Sequence, residues 1–162
     1  MMEERPRGFV GPSRMAMLHS LALFSALALG HGNPPAAEKV VVTGNDQTLS
    51  YDGDGRVFEI NGNDNRITIR GKAKRITVNG NDQKITLGSA DTLTLGGNDN
   101  RIQASGTVRL TTVNGTTNEF RMANVTTIRV SGVDNKVLYR RGPNGKRPKV
   151  SVSGVDNRVS RY

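Results

Sequence analysis

The sequence predicts an all-β protein, a parallel β-solenoid of the β-helix or β-roll kind, with two-strand coils of about 18 residues. A glycine-containing turn recurs at steps of 17 or 18 residues, with a last step of 22. Between successive turns, two pairs of alternating apolar residues show the period of strands that bury one face. The repeating glycines are Gly44, Gly62, Gly80, Gly97, Gly115, Gly132 and Gly154.

The composition agrees with a thin aliphatic core. The 162 residues carry a net charge of +9 at pH 7, and only 4% of them are aromatic. The sequence contains no Cys, which excludes disulfides, thiolate metal sites and a lipid-modified cysteine. Both histidines, His19 and His31, precede the repeats, so a histidine-based triad or zinc site in the repeats is excluded.

Residues 1–30 are predicted to form a signal peptide, followed by a Pro-containing linker over residues 31–38. Basic residues up to Arg14 precede an apolar run, residues 15–29, and small residues near Gly30 offer a cleavage site. A transmembrane anchor is the alternative, but the strictly apolar part is shorter than the roughly 20 residues that a spanning helix needs. We therefore expect a secreted or periplasmic protein without a transmembrane span in its mature chain.

Residues 39–162 are predicted to be the repetitive solenoid domain, and stacking the repeats assigns two inward pairs to each coil. The first pairs are Val40 and Val42, Phe58 and Ile60, Ile76 and Val78, Leu93 and Leu95, Thr111 and Val113, Ile128 and Val130, and Val150 and Val152. The second are Leu49 and Tyr51, Ile67 and Ile69, Ile85 and Leu87, Ile102 and Ala104, Phe120 and Met122, and Val137 and Tyr139, with Val159 alone in the last coil. Small or β-branched residues should close the coils at Gly55, Ala73, Ala90, Val108 and Val125.

An antiparallel β-meander or barrel is the alternative fold. Asn-Gly pairs such as Asn61-Gly62 are frequent in hairpin turns. A meander would, however, be a sheet of about thirteen strands whose apolar face nothing in the sequence covers, unless it closed into a barrel. The solenoid is favoured because each coil covers the next.

A column of amides precedes the second strand of each coil and has the parity of the inward residues. Amides stacked at strand spacing can hydrogen-bond along the stack, which satisfies polar groups that would otherwise be buried at a cost. The sequence therefore predicts a structural amide ladder. Its members are Gln47, Asn65, Gln83, Asn100, Asn118, Asn135 and Asn157.

A carboxylate stands one residue before the amide in six of the seven coils, and Thr117 is the exception. This Gly-x-Asp turn is similar to that of calcium-binding nonapeptide β-rolls. Opposite turns such as Gly71-Lys72-Ala73 offer no carboxylate, and an Asx-type turn accounts for the Asp residues without a metal. We therefore predict no metal and no cofactor, and keep calcium as the alternative. Its ligands would be Asp46, Asp64, Asp82, Asp99, Asp134 and Asp156.

Basic residues form a further column, and from Lys39 onward the chain has 20 Lys and Arg against 11 Asp and Glu. This excess predicts a surface for an anionic envelope polymer or polysaccharide, with a solvated face that binds nothing as the alternative. Nucleic acid is not expected, because the aromatic residues that single-strand binders interleave with basic ones are scarce. The candidates are Arg66, Lys84, Arg101, Lys136 and Arg158, and towards the C-terminus Arg140, Arg141, Lys146, Arg147 and Lys149.

The C-terminal basic cluster has a second explanation, because charged residues and prolines also stop an open sheet edge from pairing with another molecule. Lys149, Arg158 and Arg161, together with Pro143 and Pro148, are placed where that edge is expected. We favour edge protection for this cluster, since every solenoid needs a cap.

The last two repeats carry a family resemblance. They are G-V-D-N-K-V-L-Y-R-R-G from Gly132 and, after a Pro-containing insertion, K-V-S-V-S-G-V-D-N-R-V-S-R-Y. This pattern resembles the end of a bacterial secreted family known as domain of unknown function 3060. Its members are similar to residues 40–162 in their G-x-x-N-x-V-x-V units behind a signal peptide or lipoprotein signal. The resemblance implies no activity, and the missing cysteine separates this chain from the lipoprotein members.

Together these observations predict a secreted, non-enzymatic β-solenoid with a binding or structural role in the cell envelope or outside the cell. No catalytic residue is assigned. A calcium-binding β-roll-like protein and a polysaccharide-active β-helix enzyme are the alternatives. Such enzymes usually need long loops to build a cleft. Here only the loop from Gly142 to Pro148 makes a coil longer than the regular repeat.

Overall fold

A computed structural model describes residues 37–162, in which the repeats form ten strands and one short 3₁₀ turn, Pro143–Gly145. The signal peptide predicted over residues 1–30 and the linker up to residue 36 lie outside the described residues. Within the described part of the chain, no helix is long and apolar enough to cross a bilayer. The strands are β1 Lys39–Thr43, β2 Thr48–Asp52, β3 Val57–Asn61, β4 Arg66–Asn79, β5 Lys84–Asn98, β6 Arg101–Thr116, β7 Glu119–Val133, β8 Lys136–Arg141, β9 Lys149–Val152 and β10 Arg158–Arg161.

Every pairing between these strands is parallel. Each strand segment pairs with the segment one coil later, so that Val40 lies beside Phe58 and Phe58 beside Ile76. This arrangement confirms the predicted β-solenoid, with about seven coils, and shows that the antiparallel meander is wrong. Two strand columns result, one carrying the first inward pairs and one carrying the second.

The predicted inward pairs stack in register along both columns. In the second column Ile67, Ile85, Ile102 and Phe120 follow one another, and all four are at most 2% exposed. Ala73, Ala90, Val108 and Val125 also stack in register and are buried in the same apolar cluster. Burying so many aliphatic side chains between coils is the main stabilising term of the fold, at about 25 cal/mol per Å² of apolar surface.

Gly55 is the one predicted closing residue that the structure places elsewhere. It is exposed, and Gly53 is buried in its stead. A local turn explains the difference, because the N–H of Asp54 donates to Oδ1 of Asp52 and the N–H of Arg56 donates to the carbonyl oxygen of Gly53. Gly53 approaches the next coil so closely that an added Cβ would lie 2.7 Å from Cγ2 of Ile69.

The two corners of each coil differ in how constant their length is. We call the corner that holds the amide column the amide corner, and the opposite one the variable corner. Across the amide corner, the next inward pair always begins seven positions after the previous one ends, as from Ile60 to Ile67. Across the variable corner the spacing is six, seven or, from Tyr139 to Val150, eleven positions. All variation in repeat length therefore falls at the variable corner, where three successive strand pairings also shift register.

The last coil of the described residues leaves one edge of each strand column unpaired. Strand β9 pairs with β7, strand β10 pairs with β8, and no further strand follows in the described residues. The inward residues Val150 and Val152 are consequently 43% and 47% exposed. Lys149 on β9, and Arg158 and Arg161 on β10, are the charged residues that lie on these edge strands.

Candidate functional site

The backbone of the amide corner repeats one conformation in all seven coils. Its glycine has a positive φ, between 92° and 142°, and the residue two positions later has φ between 53° and 57°. That second residue is Asp in six coils and Thr117 in one. Glycine is also needed for space, since a Cβ on Gly80 would lie 1.7 Å from the carbonyl oxygen of Gly62. The Gly-x-Asp pattern thus meets a backbone requirement, because Gly adopts positive φ freely and Asp tolerates it better than most residues.

The amide side chains lie inside this corner and are hydrogen-bonded along the stack. Asn118 shows the complete arrangement. Its Oδ1 accepts from the backbone N–H and from Nδ2 of Asn100, both at 3.0 Å. Its Nδ2 donates to the carbonyl oxygen of Gly97 at 2.9 Å and to Oδ1 of Asn135 at 2.9 Å. Since Asn118 is only 1% exposed, these bonds replace water at both ends of its amide.

Gln83 is the interior member of the ladder that does not fit this arrangement. Its Nε2 donates to the carbonyl oxygen of Gly62, and its backbone N–H donates to Oδ1 of Asn100. Its Oε1 is buried and has no partner among the described residues. The extra methylene of Gln moves this oxygen away from the position that Oδ1 of an Asn occupies. The ladder is therefore incomplete between Asn65 and Gln83.

A second ladder runs on the outside of the same corner, at the middle position of Gly-x-Asp. The backbone N–H of Asn63 donates to Oδ1 of Asn45 at 2.8 Å, and the pattern continues through Asn81 and Asn98 to the N–H of Thr116. Donors lie one coil after their acceptors here, whereas in the inner ladder they lie one coil before. Sequence analysis missed these residues, although the repeated G-N-D triplet was a usable signal.

The Asp column occupies the left-handed position of each amide corner, so its place in the chain is explained by the backbone. Among residues 37–162, no three His, Cys, Asp or Glu side chains lie close enough together to hold a metal ion. Calcium binding by Asp46, Asp64, Asp82, Asp99, Asp134 and Asp156 stays the alternative to the prediction of no metal, and a calcium titration distinguishes the two.

The basic column stacks along the outside of the second strand column. Its order is Thr48, Arg66, Lys84, Arg101, Glu119, Lys136 and Arg158. Glu119 interrupts the column and binds Arg101, with 3.0 Å between its Oε2 and Nη2 of Arg101. The other Lys and Arg side chains of this column make no ion pair with a described residue.

Three further arginines point outward from the same strands; Arg140 was a candidate from the sequence, whereas Arg70 and Arg121 were not among the candidates. Arg70, Arg121 and Arg140 are exposed and share the outward parity of the basic column. The outward positions of the second strand column carry eight cations and two acids, Asp52 and Glu119. We call this surface the basic face. It consists of Arg66, Arg70, Lys84, Arg101, Arg121, Lys136, Arg140 and Arg158.

A shallow groove separates the basic face from the Asp column. One section of it, of about 390 Å³, is lined by Asp99 and Asp134 and by the basic-column residues Lys84, Arg101 and Lys136, with Glu119, the partner of Arg101, among them. Thr117 replaces the carboxylate of the intermediate coil. The groove lining therefore carries charges of both signs, and its cations belong to the basic face.

The C-terminal basic residues are divided by the fold. Arg140, Arg141, Lys146 and Arg147, joined by Arg161, line a pocket of about 350 Å³ between β8, the loop after it and β10. Lys149 does not line this pocket, because it lies on β9 in the other strand column, beside Thr127. We call the space lined by the five cations the end pocket. Sequence analysis did not predict it, since the loop conformation decides which side chains meet.

A family model described as "Protein of unknown function (DUF3060)" matches residues 60–107 and 96–146. Together the two matches cover more than half of the chain, and both lie within the solenoid. No curated protein and no solved structure gives a significant match.

Proposed function

Since the chain belongs to the DUF3060 family, whose description assigns no function, we propose from its own surfaces that it is a secreted, non-enzymatic solenoid that binds an anionic polymer of the cell envelope or extracellular space. The observation that carries the proposal is the basic face, where eight exposed cations follow one side of the stack and one of them, Arg101, is paired with an acid.

The spacing of the basic face suits an extended ligand. Successive coils are about 4.8 Å apart, so cations in neighbouring coils can contact successive charges of a linear polymer. Each contact is weak because it is exposed to water and salt. Several contacts on one polymer nevertheless act together, since each bound charge raises the effective concentration of the next. Binding should therefore be strong at low salt and steeply salt-dependent.

The opposite outer face provides a comparison on the same molecule. Thr77, Thr94 and Thr112 occupy the centre of the first strand column, with Glu59 before them and Arg129 after them. This face has no continuous row of cations, so the excess positive charge of the repeats is concentrated on the second column.

The test compares two variants that lose the same charge from different faces. The face variant is Lys84→Gln, Lys136→Gln and Arg158→Gln, and the control variant is Lys74→Gln, Arg75→Gln and Arg129→Gln. None of these six residues is ion-paired with a described residue. Retention on polyphosphate and heparin matrices is measured against salt concentration. The face variant should lose retention, and its slope of log affinity against log salt should fall by about one for each lost contact, as for phosphate contacts in nucleic acids.

Equal retention of the two variants would refute the basic face as the binding surface and leave only a general effect of net charge.

Secretion needs its own test. A reporter protein fused behind residues 1–38 should be exported and cleaved near residue 30, and retention of the reporter inside the cell would contradict the signal peptide.

A further inference from the structure

The end pocket differs from the basic face because its cations converge instead of lying in a row. Five Arg and Lys side chains line about 350 Å³, and neither Asp nor Glu is among the lining residues. Like charges gathered this closely repel one another, and residues 37–162 place no acid in the lining to neutralise them. Such an arrangement is typical of a site where function is maintained at a cost in stability.

Several contacts fix the geometry of this pocket. Nε of Arg161 donates to the carbonyl oxygen of Arg140 at 2.9 Å, and the guanidinium of Arg140 lies 5.6 Å from the ring centre of Tyr162. The loop closes on itself, because the N–H of Gly142 donates to the carbonyl oxygen of Lys146 and the N–H of Lys146 donates to that of Pro143. The loop backbone and the side chains of Arg140 and Arg161 are therefore placed by the fold before any ligand binds, which lowers the entropic cost of binding.

Edge protection explains this cluster less well than the sequence suggested. Arg140 and Arg141 belong to β8, which already pairs with β7 and β10, and Lys146 and Arg147 lie in the loop. Lys149, Arg158 and Arg161, which the sequence placed at the edge, do lie on the edge strands β9 and β10. Arg140, Arg141, Lys146 and Arg147 do not lie on these strands, so edge protection leaves these four cations without a role.

We infer that the end pocket binds a compact oxyanion group with about two negative charges, the chemistry of a phosphate monoester. Planar guanidinium groups such as those of Arg141 and Arg147 match the oxygens of such a group in pairs, and Lys146 adds a point charge. The inference rests on the proposed function, because Arg140 belongs to both surfaces and a charged group of the polymer bound on the basic face would reach the pocket there.

The first experiment uses inorganic phosphate as the probe. The melting temperature of the full chain is followed at constant ionic strength while phosphate replaces chloride. Mass action predicts a saturable rise. The pocket variant Arg141→Gln, Lys146→Gln and Arg147→Gln should bind phosphate at least tenfold more weakly. The face variant and the Lys74, Arg75 and Arg129 control should respond as the original chain does. No rise, or the same rise in all variants, would overturn the inference.

A second variant tests the geometry without removing a charge. A Cβ at position 142 would lie 2.3 Å from the carbonyl oxygen of Lys146, so Gly142→Ala must displace the loop. Its phosphate affinity should fall severalfold while its far-ultraviolet circular dichroism stays that of a β protein. Unchanged affinity in a folded Gly142→Ala protein would contradict the pocket as described.

Vesicles identify the source of the anionic group. Pocket-dependent sedimentation with phosphatidic acid vesicles, but not with phosphatidylcholine vesicles, would support a lipid headgroup, and a phosphate response without vesicle binding would support a soluble or polymer-borne group.

Failure of the basic-face proposal and failure of the end-pocket proposal can be told apart. Loss of matrix retention in the control variant as in the face variant refutes the basic face, whereas a phosphate response that survives the pocket substitutions refutes the end pocket. Self-association of the pocket variant with unchanged phosphate binding would instead assign these residues to edge protection.

Discussion

The amide corner and the variable corner both turn the chain between the two strand columns. They differ in how much change in length and register they tolerate. The amide corner keeps seven positions, positive φ values at the same two residues and buried amide hydrogen bonds in coil after coil. The variable corner changes length, shifts register and carries the loop of the end pocket. The difference teaches that buried side-chain hydrogen bonds, which need fixed geometry, determine where a repeat is allowed to vary.

The largest effect should come from inserting one residue in the amide corner, with the same insertion in the variable corner as the comparison. A Ser inserted after Thr116, in the amide corner, moves Asn118 out of its ladder and reverses the faces of the following strand unless the whole corner rearranges. We expect loss of cooperative thermal unfolding. A Ser inserted after Ser105, in the variable corner, should lower the melting temperature by only a few degrees. Similar damage from both insertions would mean that the corners do not differ in tolerance.

Removing a single amide of the ladder should have the next largest effect on stability. Asn118→Ala deletes the acceptor of the Asn100 N–H and the donor to Gly97, so that buried backbone groups lose their partners. At about 1–3 kcal/mol for each such group, the free energy of unfolding should fall by several kcal/mol. Ser105→Ala is the matched change at the variable corner, where the Ser hydroxyl donates to Leu87 at 3.3 Å. It should cost less than half as much in urea unfolding.

A substitution at the incomplete position of the ladder, Gln83, should raise the free energy of unfolding instead of lowering it. Gln83→Asn shortens the side chain by one methylene and brings its oxygen to the position that accepts hydrogen bonds in the other rungs. We expect the free energy of unfolding to rise by about 1 kcal/mol, which is typical of one net hydrogen bond. Gln47→Asn is the control, because Gln47 is at the end of the ladder and only half-buried. A loss of stability in Gln83→Asn would show that the longer side chain fills space the shorter one leaves empty.

Calcium tests whether the amide corner serves anything besides the backbone. If its Asp residues only satisfy the left-handed position, millimolar calcium should leave the melting temperature unchanged, with magnesium as the control. A rise specific to calcium would require that the folded state binds the ion. It would revive the β-roll interpretation.

The smallest expected effect is at the N-terminal end of the stack, away from both corners. The hydrogen bond and charge of Lys39, 2.6 Å from Glu59, lower the pKa of Glu59. A lowered pKa in the folded state adds stability above the ordinary pKa of Glu, and this stability is lost as the pH falls through the folded value. The difference in melting temperature between the original chain and Glu59→Gln should therefore be small at pH 7 and vanish in acid. A difference that persists at pH 2 would exclude the ion pair as its cause.

The sequence allowed the solenoid and all its inward pairs to be predicted, because repetition shows which residues occupy equivalent positions even without coordinates. Hydrogen-bond partners were harder to predict. The acceptor of Asn118 Nδ2 in the preceding coil and the outer ladder from Asn45 depend on the φ values of the corner. Gly55 was misplaced because the side chain of Asp52 forms a local turn. The end pocket could not be predicted, since it joins β8, an irregular loop and β10.

The constant amide corner also has a consequence for how such a protein could change over generations. A coil can be duplicated or deleted as a unit without altering the corner, because the ladder presents the same bonds wherever its amide is Asn. Each added coil lengthens the stack by about 4.8 Å and can add another outward cation to the basic face. If the face binds a linear polymer, the number of coils acts as a ruler. The number of coils sets how many charges of the polymer one molecule contacts. It thereby sets the salt concentration at which the protein dissociates from the polymer.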